Sequence, residues 1–153
     1  MKRIMVMGIG NLLMQDDGVG VHVIRQLEQM DLPLEVELVD GGTHSYDLLD
    51  YFSQADFCIV IDAMHAGGQP GTVYRIPLEE LDLSPNPNIQ SLHEMSFAEA
   101  MYMLRLEGFD PQVLVFGVEP HTVELGLELT AVVAEKVPLI LENIRKEIKT
   151  LLS

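Results

Sequence analysis

The apolar positions of this chain alternate between short continuous runs and helical periodicity. Ile4 to Met7 is apolar throughout and closes on Gly8, as a parallel strand buried on both faces should. Val19, Val23, Ile24 and Leu27 then recur at helical spacing, which predicts a helix over residues 18–30 with Pro33 just beyond it. Val36, Leu38 and Val39 predict a second strand running into the glycine-rich turn DGGTHS. Leu48, Leu49 and Phe52 suggest a short helix, and FCIVIDA, Phe57 to Ala63, is the most apolar strand of the chain. After the turn GGQPGT, the alternation of Thr72 to Pro77 and its closing proline predict an exposed edge strand.

Residues 81–91 carry Pro85, Pro87 and two asparagines without periodicity, which reads as a loop delivering His93 to the next element. Ser96, with Glu99 three residues on, is a reciprocal cap for a helix that ends at Gly108. QVLVFGVEP is a further buried strand. From Thr130 a last helix carries one apolar stripe, Val133, Val137, Ile140, Leu141, Ile144, Ile148 and Leu151, and Pro138 should kink its early part. No internal repeat, low-complexity tract or linker interrupts residues 1–153, so one domain is expected. Strands alternating with helices predict a three-layer α/β fold: a mostly parallel twisted sheet with an antiparallel edge strand and helices on both faces.

Composition narrows what such a domain can do. Nine Lys and Arg against 24 Asp and Glu give a formal net charge of -15, which repels phosphate backbones and anionic lipid. Nucleic acid and membrane surfaces are therefore not expected partners. A single cysteine excludes a disulfide framework and an intrachain thiolate cluster, and fits a reducing compartment. The Lys-Arg start and apolar first strand resemble a signal peptide only superficially, because Gly8, Gly10, Asn11 and two aspartates interrupt the run. A cytoplasmic protein is expected.

In open α/β sheets, ligands collect at the carboxyl ends of the strands. There the chain places GIGNLLMQDDGVG, then Asp40-Gly-Gly-Thr-His44, Asp62-Ala-Met-His65 and Glu119-Pro-His121, with His93 after the long loop. Four of the five histidines, His44, His65, His93 and His121, would gather at this edge, leaving His22 within the first helix. Taken singly, each polar residue could merely end a strand. Asp62 is harder to dismiss, since a carboxylate ending so apolar a strand needs a cation or donors. A carboxylate of the first loop, Asp62 and His93 would together make an oxygen, oxygen, nitrogen set suited to a divalent transition metal.

Rival chemistries fit less well. Gly8-x-Gly10 begins a dinucleotide fingerprint, but Leu13 stands at its third glycine and Asp16 and Asp17 would repel a pyrophosphate. No serine lies in a Gly-x-Ser-x-Gly elbow, HExxH is absent, and Cys58 falls inside an apolar strand. The methionines read mainly as core, although Met64 and Met95 flank the proposed site and could line an adaptable peptide groove.

With those residues in view, the sequence resembles the nickel-iron hydrogenase maturation endopeptidases over almost its whole length. The matching motifs are GIGNLLMQDDGVG, DGGT at Asp40 to Thr43, Asp62-Ala, His93, and FGVEP followed by GLELT. The resemblance implies a peptidase that removes a C-terminal extension from a hydrogenase large-subunit precursor after nickel insertion. It implies that nickel, supplied by the substrate, is recognised by Asp17, Asp62 and His93, and that catalysis draws on Asp17, Asp40 and Asp62 by an aspartate-dependent or metal-assisted route. The first of these positions is often glutamate in the family; here Asp17 has Asp16 beside it, so either could reach the metal. Gly41 and Gly42 would keep the Asp40 turn open for a peptide backbone. A monomer is expected. The alternatives are a nickel-binding chaperone or carrier without proteolytic activity, and a nucleotide-binding module.

Overall fold

The computed structural model describes residues 2–42, 50–80, 101, 104–110 and 112–153. Five strands, β1 (Ile4–Ile9), β2 (Val36–Gly42), β3 (Phe57–Ala63), β4 (Val73–Pro77) and β5 (Gln112–Val118), form one sheet in the order β2-β1-β3-β5-β4. β1, β2, β3 and β5 are parallel, and β4 pairs antiparallel with β5 at the edge. The sheet is the mostly parallel one that the apolar runs imply. Every residue of β1 is buried, whereas β4 is only partly covered, as its alternating sequence requires.

Two apolar layers sandwich the sheet. On one face Ile4, Val6, Ile59, Ile61 and Phe116 meet α1 (Val19–Leu27) and α3 (Val137–Leu152), whose Ile140, Ile144 and Ile148 form the buried stripe. On the other, Met5, Met7, Cys58, Val60 and Val115 meet Phe52, Met101 and Leu104, which are helical residues at 50–53, 101 and 104–106. Alternate residues of one strand thus serve opposite layers.

Three local expectations are corrected. The first helix is preceded by a separate 3-10 turn, Gln15–Gly18, and regular α-helix ends at Leu27 rather than Met30. The last helix is broken rather than kinked: α2 (Ala131–Ala134) stops, and α3 restarts with Pro138 in its first turn. A proline there needs no backbone donor, so it starts a helix more readily than it bends one. Thr130 precedes α2 in extended conformation but makes no side-chain cap, because its hydroxyl is used elsewhere. The predicted loop over 81–91, the Ser96–Glu99 cap and most of the helix they introduce lie outside the described residues; helix is described at 101 and 104–106, and a turn follows it to Gly108, which has φ +89°.

The β1–α1 junction depends on missing side chains. A Cβ on Gly8 would lie 2.1 Å from the Gly20 carbonyl oxygen, and one on Gly20 would lie 2.2 Å from that of Ile61. The helix therefore seats backbone to backbone over β1 and β3. That close seating holds the β1–α1 loop against the carboxyl ends of these strands, where β2 and β3 are added on opposite sides of β1.

Candidate functional site

The loop leaving β1 is built from its own polar groups. Asn11 Oδ1 accepts from the Leu13 amide at 3.0 Å, and Asp17 Oδ2 accepts from the Asn11 amide at 3.1 Å. Gly10, at φ +138°, leaves no room for a side chain, since a Cβ would meet the Asp17 carbonyl oxygen at 1.9 Å. The next tight point is Gln15, whose φ of 47° is uncommon for a residue with a side chain, and the two aspartates follow it in a 3-10 turn.

Asp16 is 0% exposed. Its Oδ2 accepts from the amides of His121 at 2.9 Å and Thr122 at 3.1 Å and from the Thr130 hydroxyl at 2.7 Å, and its Oδ1 accepts from the Thr130 amide at 2.8 Å. Burial raises its pKa, but these donors, the Thr130 side chain foremost, outweigh burial and hold the carboxyl below its ordinary value. Four donors leave it structural. It ties the β1 loop to the segment after β5, and the bond from the Gln15 amide to the Gly126 carbonyl, at 2.9 Å, extends the same seam.

Asp17 is half-buried, and its turn packs against the carboxyl end of β3. There Asp62 is 6% exposed and lies in register with Gly117 of β5. On the other side of β1, Asp40 is exposed at the end of β2; its Oδ1 accepts from the Gly42 amide at 3.1 Å. The register slips between Gly8 and Ile9, so Gly41 bulges out, and Gly42 at φ +51° passes its carbonyl to the Gly10 amide at 3.0 Å. Three predicted carboxylates, Asp17, Asp40 and Asp62, are thus carried by neighbouring strand ends. His93 and His44 lie outside the described residues. Among the described residues no group of three potential ligands is assembled.

The remaining histidines divide. His65 and His121 stand at the carboxyl ends of β3 and β5 as expected, both exposed, with His121 Nδ1 2.8 Å from Thr122 Oγ1. His22 is half-buried in α1; burial, then the Arg25 charge, lower its pKa against opposing contributions from the Leu127 backbone and Asp16.

Two structural anchors were not singled out by sequence reasoning. Thr130 is one. The other is Glu119, buried just after β5, whose Oε1 accepts from the Ala66 and Gly68 amides and the Tyr74 hydroxyl, each at 2.9 Å, while Oε2 lies 3.8 Å from His65 Nδ1. It holds the β3–β4 turn in place. Both residues fall in motifs noticed in the sequence, FGVEP and GLELT, but only the fold reveals what they bond. A separate cavity of about 830 Å³ is lined by Met30 to Pro33 and one side of α3, with no residue from the strand carboxyl ends.

Comparison with known proteins accords with this arrangement. The sequence profile of the hydrogenase maturation protease family matches residues 21–147. The chain is 34% identical over 145 residues to the hydrogenase 2 maturation protease of Escherichia coli K12, covering 93% of this chain and 88% of that protein. It is 31% identical over 151 residues to the hydrogenase expression/formation protein HupD of Rhodobacter capsulatus, covering 97% and 72%. The match to HoxM of Azotobacter vinelandii, 36% identical, spans only 60% of that protein's length. Among solved structures, the hydrogenase maturating endopeptidase HybD from E. coli superposes with a TM-score of 0.90 at 32% identity, covering 97% of this chain and 93% of that one. Sequence and fold agree, and the chain belongs to the hydrogenase maturation protease family, a family of peptidases.

Proposed function

We propose that this protein cleaves the C-terminal extension from a nickel-iron hydrogenase large-subunit precursor after nickel insertion, with the nickel carried in by the substrate. The observation that carries the reading is the division between the paired aspartates: Asp16 is buried and consumed by four donors, while Asp17 is half-buried in the turn that packs against β3, the strand that ends in Asp62-Ala63. This supports Asp17 rather than Asp16 as the residue that meets the substrate. With His93 they make two oxygens and one nitrogen, an incomplete shell whose soft ligands would come from the precursor's thiolates.

The residues of this chain then have separable tasks. Asp17 and Asp62 meet the loaded metal centre, whose Lewis acidity can polarise a carbonyl or lower the pKa of a water. Asp40, exposed and held by one backbone donor, is positioned to accept a proton or steer the peptide. Gly42, whose missing side chain would face open space, leaves room beside Asp40 for an extended chain, while Gly41 faces inward against Met7. Fixing the precursor by its metal centre presents the scissile bond at a defined place, which a flexible tail alone would not achieve.

The test is digestion of nickel-loaded and nickel-free precursor side by side with chelator-stripped protein, read as the mass of the large subunit. Truncation of the loaded precursor alone is expected. Equal cleavage of both would remove nickel from recognition, and binding of the loaded precursor without truncation would make the protein a carrier.

A further inference from the structure

The segment after β5 carries leucines that the fold does not use. Leu125 is 88% exposed and Leu127 62%, while Leu129 between them and α2 packs against the core. The segment itself is held firmly. Gly126 bridges Met14, its amide donates to the Leu13 carbonyl at 2.9 Å, and Thr130 is bonded to Asp16. Leu13, 57% exposed, is thereby brought alongside. Exposed leucines on a fixed backbone, adjoining the turn that bears Asp17, are expected where another surface covers them.

We infer that Leu13, Leu125 and Leu127 form an apolar docking lip for the hydrogenase large-subunit precursor, and that they set its affinity rather than the rate of cleavage. This rests on the function proposed above. Two observations select the occupant. The lip is hydrogen-bonded to the Asp17 loop, so it adjoins whatever binds there. Glu124 and Glu128 flank the Leu125–Leu127 pair and are exposed, on a chain of formal net charge -15, so the fitting surface is apolar with Lys or Arg at its margin. A second copy of this chain would bring like charges together.

The experiment measures both Kd and cleavage of purified nickel-loaded precursor by the wild-type protein, by L125S/L127S and by E124K/E128K. The substituted side chains are exposed, and circular dichroism with thermal melting verifies the fold of each variant. For L125S/L127S, KM and Kd should rise about tenfold or more with kcat within about twofold, since apolar anchors act mainly through dissociation. For E124K/E128K, binding should weaken most at low ionic strength and converge on wild type as salt screens the charges. Wild-type cleavage with unchanged Kd in L125S/L127S overturns the docking lip alone. A wild-type dimer that L125S/L127S turns into monomer, with KM unchanged, assigns the lip to self-association and overturns it too. Wild type that binds without cleaving overturns the proteolytic reading, and the lip stands if L125S/L127S then binds more weakly. Wild type that neither binds nor cleaves overturns both.

Discussion

Asp16 and Asp17 carry the same side chain one residue apart, yet burial and donors give them opposite dependencies. Removing the Asp16 carboxylate in Asp16→Ala strands the amides of His121, Thr122 and Thr130 in a buried seam and should cost at least about 2 kcal/mol in chemical denaturation. The acid response has a definite sign. Because the folded pKa of Asp16 lies below its unfolded value, its stabilisation is present above pH about 4 and is lost as pH falls through the folded value. Asp16→Asn should therefore flatten the decline of the urea midpoint between neutral and strongly acid pH; an unchanged slope would show that other carboxylates govern it. Asp17→Asn and Asp62→Asn are expected to abolish precursor truncation with melting near wild type, and His93→Ala likewise. Full cleavage by any of the three in a folded state would remove that residue from the mechanism. Asp40→Ala should impair or redirect cleavage while shifting stability by no more than about 0.5 kcal/mol, since an exposed turn carboxylate contributes little to folding.

Between elements, contacts without side chains matter as much as apolar burial. Gly20 lies where any Cβ meets the carbonyl oxygens of both Ile61 and Ile9. Backbone cannot swing aside as a side chain can, so Gly20→Ala should lift α1 from the sheet, cost about 3 kcal/mol and slow cleavage by displacing the Asp17 turn. A thermal melt and the truncation assay on one preparation check both effects, and wild-type values for each would contradict the backbone seating. α1 also meets the segment after β5 through His22, whose Nε2 is buried without a hydrogen-bond partner. Its pKa is lowered on folding, so the neutral ring is favoured in the native state. Its contribution is complete above the unfolded pKa of about 6.5 and is lost as pH falls below that toward the folded value. A melting series from pH 7.5 to 5.5 should show His22→Gln losing less stability than wild type.

Across the whole molecule, strand order makes the site. β1 lies between β2 and β3, and the crossovers leave it on opposite sides, so the ends bearing Asp17, Asp40 and Asp62 adjoin one another although the residues are far apart in sequence. Much of this was legible from pattern alone. Continuous apolar runs identify β1, β3 and β5 because strands covered on both faces have no polar positions, and the alternation with a closing proline marks β4 as an edge. The carboxylates at strand ends were legible because they break apolar runs: Asp40 where exposure begins, and Asp62 although it stays buried. None of the described helices is long and apolar enough to cross a membrane, as the short apolar runs imply. What local sequence left open were contacts between distant segments. Asp16 and Asp17 are indistinguishable until Thr130, 114 residues from Asp16, supplies its donors. Glu119 looks like another strand-end acid until Ala66, Gly68 and Tyr74 converge on it. Periodicity reports which face of an element is buried, because each residue's burial leaves a local trace in its polarity. Hydrogen-bond partners leave no such trace, and which of two adjacent carboxylates is tied to distant segments is decided only when the tertiary fold brings the donors within reach.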